Sequence, residues 1–149
     1  MKAIVRVVNI NAEVEIMDNK ITFFEFTDKT QTEKLVSPLL LKLQNQLDDY
    51  TNHNLKIFDL PLAFKGTKFQ EEVWLALCTI PYGEVRTYKE IAEQINRPKA
   101  YRAVGMACNK NPIGLLIPCH RVIGSNGDLV GYAGGLDLKE KLLKHEKSA

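Results

Sequence analysis

Apolar and polar residues alternate from Ala3 to Asn9 and again from Ala12 to Met17, the period-two pattern of half-buried strands. Asp18-Asn19 is a turn signal, and Ile21 to Phe26 reads as a third strand. From about Thr32 to Tyr50 the period changes. Leu35, Val36, Leu39, Leu40, Leu43 and Leu47 recur at three and four, as on one face of a helix. Pro38 starts or kinks that helix, since a prolyl ring fits only a first turn. Residues 1–57 therefore read as a small α/β domain with an antiparallel sheet. Residues 58–66, with Pro61 and Gly66, read as a linker.

The pattern over residues 67–149 is mostly helical. Thr67-Lys68-Phe69-Gln70 has capping-box spacing, and Phe69, Val73, Trp74 and Leu77 share one face of the helix it opens. Pro81-Tyr82-Gly83 ends it. Thr87-Tyr88-Lys89-Glu90 is a second capping box, opening a short helix to about Gln94. After Asn96-Arg97, Pro98 suits the first position of a further helix reaching about Asn109. These two short helices fit a helix-turn-helix or a plain helical hairpin equally well. Gly124 to Asp128 is a turn, and Gly131-Tyr132-Ala133-Gly134-Gly135 is a glycine-rich loop without the Lys-Ser/Thr of a phosphate-binding loop. Asp137 caps a last helix, with Glu140 three residues on and Leu138, Leu142 and Leu143 on its buried side.

Composition narrows the class. With 45% hydrophobic and 26% charged residues the chain reads as globular. No apolar run approaches a membrane span, and Lys2 is followed by no signal-peptide core. Three cysteines without regular spacing do not make a disulfide framework, so reduced thiols in a cytoplasmic protein (nuclear in a eukaryote) are expected. Net charge is only +2. Yet Arg86, Lys89, Arg97, Lys99, Arg102, Lys110 and Arg121 face only Glu90 and Glu93 within one stretch. Such a stripe suits a polyanion or a solvated helical face.

The run Ile117-Pro118-Cys119-His120-Arg121-Val122-Ile123 carries the chemistry. A thiol precedes an imidazole and a guanidinium between apolar flanks, and nearby positive charge favours the reactive thiolate. On local residues alone Cys119 fits a nucleophile or a small buried core residue. Cys78 and Cys108 read as core thiols.

Together these segments resemble the O6-alkylguanine-DNA alkyltransferases. The resemblance rests on Gly83-Glu84-Val85-Arg86-Thr87-Tyr88, Arg102-Ala103-Val104-Gly105, Asn111-Pro112 and Ile117 to Val122. Tyr132, Gly134-Gly135 and the tail Leu142-Leu143-Lys144-His145-Glu146 complete it, over residues 67–146. It implies a ribonuclease-H-like first domain and a helix-turn-helix second domain. It also implies direct-reversal repair, in which Cys119 irreversibly accepts the alkyl group of O6-alkylguanine in one turnover. His120, oriented by Glu146, would activate the thiol through a water. Asn111 would brace the turn before Cys119, and Tyr88 would donate to guanine N3. Double-stranded DNA would be bound from the minor groove by a monomer, with the damaged nucleotide flipped out. Arg102 would fill the gap, and Thr87, Ala100, Ala103, Gly105 and Arg121 would contact DNA. Val122, Tyr132, Ala133 and Gly134 would line the base pocket. No cofactor is implied.

There are departures from the family pattern. Many members have a hydroxyl where this chain has Ala133, and a small residue where it has Tyr101. The structural zinc of some members has no counterpart, because no cysteine precedes Cys78 and His53 is the one histidine there. Competing classes are lesion-binding relatives, which lack the cysteine; a dimeric transcription factor, for which no dimer helix is evident; and a cysteine hydrolase, which must turn over.

Overall fold

The computed structural model describes residues 1–30, 37–132 and 134–148. These form two compact units, Met1–Phe64 and Lys65–Ala149. The fold is mixed α/β, a small sheet plus helices, in agreement with the pattern along the chain.

In the first unit three strands form an antiparallel meander: β1 (Lys2–Val7), β2 (Ile10–Met17) and β3 (Lys20–Thr27). Both connections are two-residue turns whose residues take positive φ: Val8 and Asn9, then Asp18 and Asn19. That is the geometry matching the right-handed twist of paired strands. The alternation places Val5, Val7, Ala12 and Val14 in the core, and β3 adds Ile21 and Phe24, three residues apart, opposite an irregularity in the β2 register. Helix α1 (Pro38–Thr51) buries Leu39, Leu40, Leu43, Leu47 and Tyr50. Pro38 lies in its first turn, where no N–H is needed. The expected start near Thr32 falls outside the described residues. The Gln44 side chain brackets Arg6, accepting from its N–H at 3.0 Å and donating to its carbonyl at 2.8 Å. This occupies part of an edge strand that would otherwise offer unpaired backbone groups.

Within the segment read as a linker, 58–66, residues 61–63 are held on β3. Ile21 N–H donates to the Pro61 carbonyl at 2.8 Å, Ala63 N–H donates to the Ile21 carbonyl at 2.9 Å, and Leu62 bridges Ile21 in parallel. Pro61 is tolerated because its carbonyl, not its missing N–H, makes the contact.

In the second unit helix α2 (Lys68–Leu77) opens with the Thr67–Gln70 capping box. Val73, Trp74 and Leu77 are buried, and the Trp74 indole donates to the Ala107 carbonyl at 2.9 Å. Phe69 is only half-buried, its ring lying under the Arg97 guanidinium at 5.7 Å. Strand β4 (Arg86–Thr87) leads directly into α3 (Tyr88–Gln94) through the Thr87–Glu90 capping box. Helix α4 runs Tyr101–Asn109, three residues later than expected from Pro98. Asn96 takes φ +62, and the Ala100 N–H closes a turn on the Arg97 carbonyl, so Pro98 sits in that turn instead. A 3-10 turn, Cys119–Arg121, runs into β5 (Val122–Ile123), which pairs in parallel with β4. Helix α5 (Leu136–Lys147) starts after Gly135, whose φ of +94 suits only glycine. Asp137 is therefore not its cap. It lies inside the first turn, where its charge still complements the helix N-terminus.

Candidate active site

Two residue pairs, Arg86–Val122 and Thr87–Ile123, make the parallel contact of β4 with β5. The contact sets the first residue of α3, Tyr88, and the 3-10 turn at Cys119 on adjoining chain segments. Asn111 fixes the approach to that turn. Its side chain accepts from the Ile113 N–H at 3.0 Å and donates to the Ile117 carbonyl at 2.8 Å. Ile113, Leu115 and Ile117 fill the core beneath. Leu115 holds a positive φ of 65°, a conformation that costs a non-glycine residue about 1–3 kcal/mol.

Cys119 is 6% exposed. Burial raises its thiol above the ordinary value, opposed by a hydrogen bond from Asn111 and by the charge of Lys139. The group is thus a thiol at rest and needs a base. We predict that alkylation of Cys119 by iodoacetamide still accelerates at pH values where free cysteine has levelled off. Peptide-resolved rates between about pH 6 and 10 would test this. A plateau at or below that of free cysteine would contradict it.

Beside the thiol lies a buried charge network. His120 is fully buried, and its Nε2 is 2.7 Å from Glu146 Oε2. Its Nδ1 has no hydrogen-bond partner among the described residues. Burial keeps His120 neutral more strongly than Glu146 favours its charged form. Glu146, far from a solvated tail residue, is 3% exposed. Burial pushes its pKa up, but hydrogen bonds and charge from His120 and Arg121 outweigh that and hold it well below the usual carboxylate range.

Arg121 overturns its expected part as a DNA contact. It is 6% exposed, and its guanidinium is spent inward. Nε donates to Glu146 Oε1 at 2.8 Å, Nη2 to Glu146 Oε2 at 3.1 Å and Nη1 to the Ile80 carbonyl at 2.8 Å. The Tyr82 ring lies 5.8 Å away. Three of its five N–H donors are engaged inside the protein, so the side chain is turned away from a phosphate at the surface.

The residue missed by sequence reasoning is Lys139. It is fully buried on α5, and its Nζ donates to the Val130 carbonyl at 3.0 Å and to Tyr88 Oη at 3.4 Å. The Tyr88 hydroxyl itself donates to the Val130 carbonyl at 2.8 Å. Among the described residues no carboxylate pairs with Lys139. Burial lowers its pKa, while Cys119 and Cys108 raise it. The one sequence signal available is its position three residues before Leu142, which is buried on the same helix.

The other expected site residues are divided. Arg102 and Tyr101 are exposed at the start of α4, with Ala100 and Ala103 half-buried beside them. Thr87 is occupied as the α3 cap. Gly105 faces the Tyr88 ring, where a Cβ would sit 3.8 Å away. Val122 is buried, and burial raises the Tyr132 hydroxyl well above its ordinary value. At Gly134 a Cβ would come within 2.6 Å of Leu138 and 3.2 Å of the Tyr132 ring. Ala133 lies outside the described residues. Of the basic stripe, Arg86 pairs with Glu84 and Arg97 with Glu72, while Lys89, Lys99, Arg102 and Lys110 are exposed. Among the described residues, no helix is long and apolar enough to cross a membrane, and no group of three His, Cys, Asp or Glu side chains is placed to hold a metal ion.

Residues 68–148, which include this whole network, match the family described as 6-O-methylguanine DNA methyltransferase, DNA binding domain, so by class the protein is a DNA-directed transferase. A methylated-DNA–protein-cysteine methyltransferase of Methanosarcina mazei is 61% identical over 107 residues, covering 72% of this chain and 68% of that protein. The aligned stretch amounts to about two-thirds of the length of these curated relatives. Among solved structures, Mycobacterium tuberculosis OGT in complex with DNA is 42% identical with a TM-score of 0.86, over 98% of this chain and 91% of that one. The Mycobacterium tuberculosis O6-methylguanine methyltransferase is 38% identical with a TM-score of 0.85, over 99% and 94%. The chain belongs to the 6-O-methylguanine DNA methyltransferase family.

Proposed function

We propose that this protein repairs DNA by direct reversal, moving the alkyl group of O6-alkylguanine onto Cys119 in a single irreversible turnover. The observation that carries this reading is the buried Cys119 thiol beside a His120–Glu146 pair held at 2.7 Å. In the reaction the sulfur–carbon bond forms as the carbon–O6 bond breaks, and the thiol proton ends on the released guanine. His120 accepts that proton first, through a bridging water, as the base of a Cys-His-Glu triad. Thioether formation leaves no leaving group for water to displace, so the protein is consumed. Lys139 balances the charge of the thiolate, and Tyr88 exchanges its bond to Val130 for one to guanine N3. Val122, Tyr132, Gly134 and Ala133 would surround the base.

Helices α3 and α4 serve as a helix-turn-helix that binds duplex DNA as a monomer from the minor groove. The first unit is a ribonuclease-H-like support, and the protein works in the cytoplasm. Exposed Lys89, Lys99, Arg102 and Lys110 supply phosphate contacts, so binding is largely independent of sequence and falls with salt. Guanine O6 is inaccessible in a stacked duplex, so the nucleotide is flipped and Arg102 fills the gap.

Mass spectrometry tests the central step. Mixed with O6-methylguanine duplex, the protein should gain one CH2, on the Cys119 peptide alone. Tight binding with no mass change would mean a lesion sensor and end the transferase reading. For flipping, Arg102→Ala is expected to slow repair in duplex by about 10–100-fold more than reaction with the free O6-alkylguanine base, since only the duplex requires unstacking. Equal losses on both substrates would remove the role given to Arg102.

A further inference from the structure

We infer that Arg121 is a positioning residue that fixes which nitrogen of His120 carries the proton. The inference rests on the proposed use of His120 as a base. A neutral imidazole has one N–H and one acceptor nitrogen, and the hydrogen bond at one decides the other. His120 Nε2 contacts Glu146 Oε2 at 2.7 Å, and that contact can hold its proton on either partner. Burial alone favours the arrangement with fewest charges: a protonated Glu146 donating to a bare Nε2. Nδ1 would then carry the hydrogen, and the ring would have no lone pair for the thiol proton.

Arg121 forbids that arrangement. It reaches both Glu146 oxygens, at 2.8 and 3.1 Å, and a guanidinium has no lone pair and only donates. The Gly83 N–H adds a third donor, 3.4 Å from Oε1. With donors on both oxygens and a cation alongside, Glu146 stays an anion. Nε2 must then be the donor, which leaves Nδ1, unpartnered among the described residues, as the acceptor. The other charged or titratable groups around the pair do not reverse this. Lys139 adds positive charge near His120 and disfavours an imidazolium, and Tyr82 is neutral. The arginine next to the catalytic pair thus acts on the base through the carboxylate, not on DNA.

The test reads the tautomer directly. The full-length protein would be labelled with 15N-histidine, and its three imidazoles assigned with His53→Asn and His145→Asn variants. In the wild-type protein at neutral pH His120 is expected to show a protonated Nε2 and a bare Nδ1. Arg121→Met should move the proton to Nδ1 and slow alkyl transfer by about 100-fold, the scale of a lost general base. Arg121→Lys, which keeps the charge, should hold the wild-type tautomer and recover most of the rate. A folded Arg121→Met protein with Nε2 still protonated and wild-type rate would overturn the inference. Should Arg121→Met fail to fold, the wild-type spectrum decides, because a protonated Nδ1 there overturns it equally. A wild-type protein with the expected tautomer but inert toward O6-methylguanine DNA would instead sink the proposed function and leave this inference standing.

Discussion

Glu146→Ala should be the most destabilising single substitution in the second unit, lowering the melting temperature by about 10–20 °C. The change removes one partner of a buried ion pair and strands the other. Arg121 would keep its bond to the Ile80 carbonyl but lose both carboxylate contacts while still shut from solvent. Breaking such a pair typically costs about 3–5 kcal/mol. The pH dependence has a definite sign. A carboxylate with a depressed folded pKa adds stability that is complete above its unfolded value of about 4.3 and fades as pH falls through the folded value. The wild-type protein should therefore hold its full stability at neutral pH and shed this part in acid, and Glu146→Ala should show less of that acid loss. Thermal unfolding of both proteins across about pH 3 to 7 checks each point. A double replacement, Arg121→Met with Glu146→Leu, should recover much of the loss, since apolar pairs often match buried ion pairs in stability. A Glu146→Ala melting temperature within about 3 °C of wild type would mean that the pair contributes little.

How far the sequence discloses this site depends on how local each interaction is. Both capping boxes join residues three positions apart, and both form as the spacing predicts. The alternation of β1 and β2 is equally legible, because period two is a local property. Arg121 is misread for a geometric reason. Its closeness to Cys119 suggests a cation aimed at the thiol, yet the three residues form a 3-10 turn with three residues per turn. Successive side chains leave such a turn about 120° apart. Cys119, His120 and Arg121 therefore point three ways, and the guanidinium meets Glu146, 25 positions downstream. On α5 the leucines suggest a buried stripe through Leu138, Leu142 and Leu143. The buried positions are Lys139, Leu142 and Glu146. The stripe has turned by one residue because this helix face packs on a polar centre, and hydrophobicity alone cannot mark it. The linker read at residues 58–66 contains the boundary between the two units, but its contacts to β3 are not legible. Pro61 and Gly66 suggest a connecting segment, while the contacts that hold residues 61–63 on Ile21 are backbone hydrogen bonds, which leave no mark on side-chain pattern.

Lys139→Met should separate activity from stability, slowing alkyl transfer by about 100-fold while leaving the protein as stable as before or more so by about 1 kcal/mol. A fully buried ammonium is costly unless something compensates for it. Here the compensation at rest is two hydrogen-bond acceptors, the Val130 carbonyl and Tyr88 Oη, together with the face of the Tyr88 ring at 5.7 Å. With Arg121 and Glu146 cancelling and His120 neutral, the buried groups carry one surplus positive charge. Ionisation of Cys119 removes that surplus, so the resting state lacks a countercharge that the reacting state provides. An interaction stronger in the transition state than in the ground state is what accelerates a reaction. Methionine keeps the length and apolar stem of lysine and discards only the charge. Its thiol should titrate higher than in the wild type, because the charge of Lys139 is among the few influences pulling Cys119 down. The rate with free O6-alkylguanine base, the iodoacetamide profile of Cys119 and the melting temperature together decide the matter. A slower, markedly less stable variant with an unmoved thiol profile would make Lys139 a structural tether between α5 and Tyr88. A slower variant of equal stability with a raised thiol would make it the electrostatic partner of Cys119.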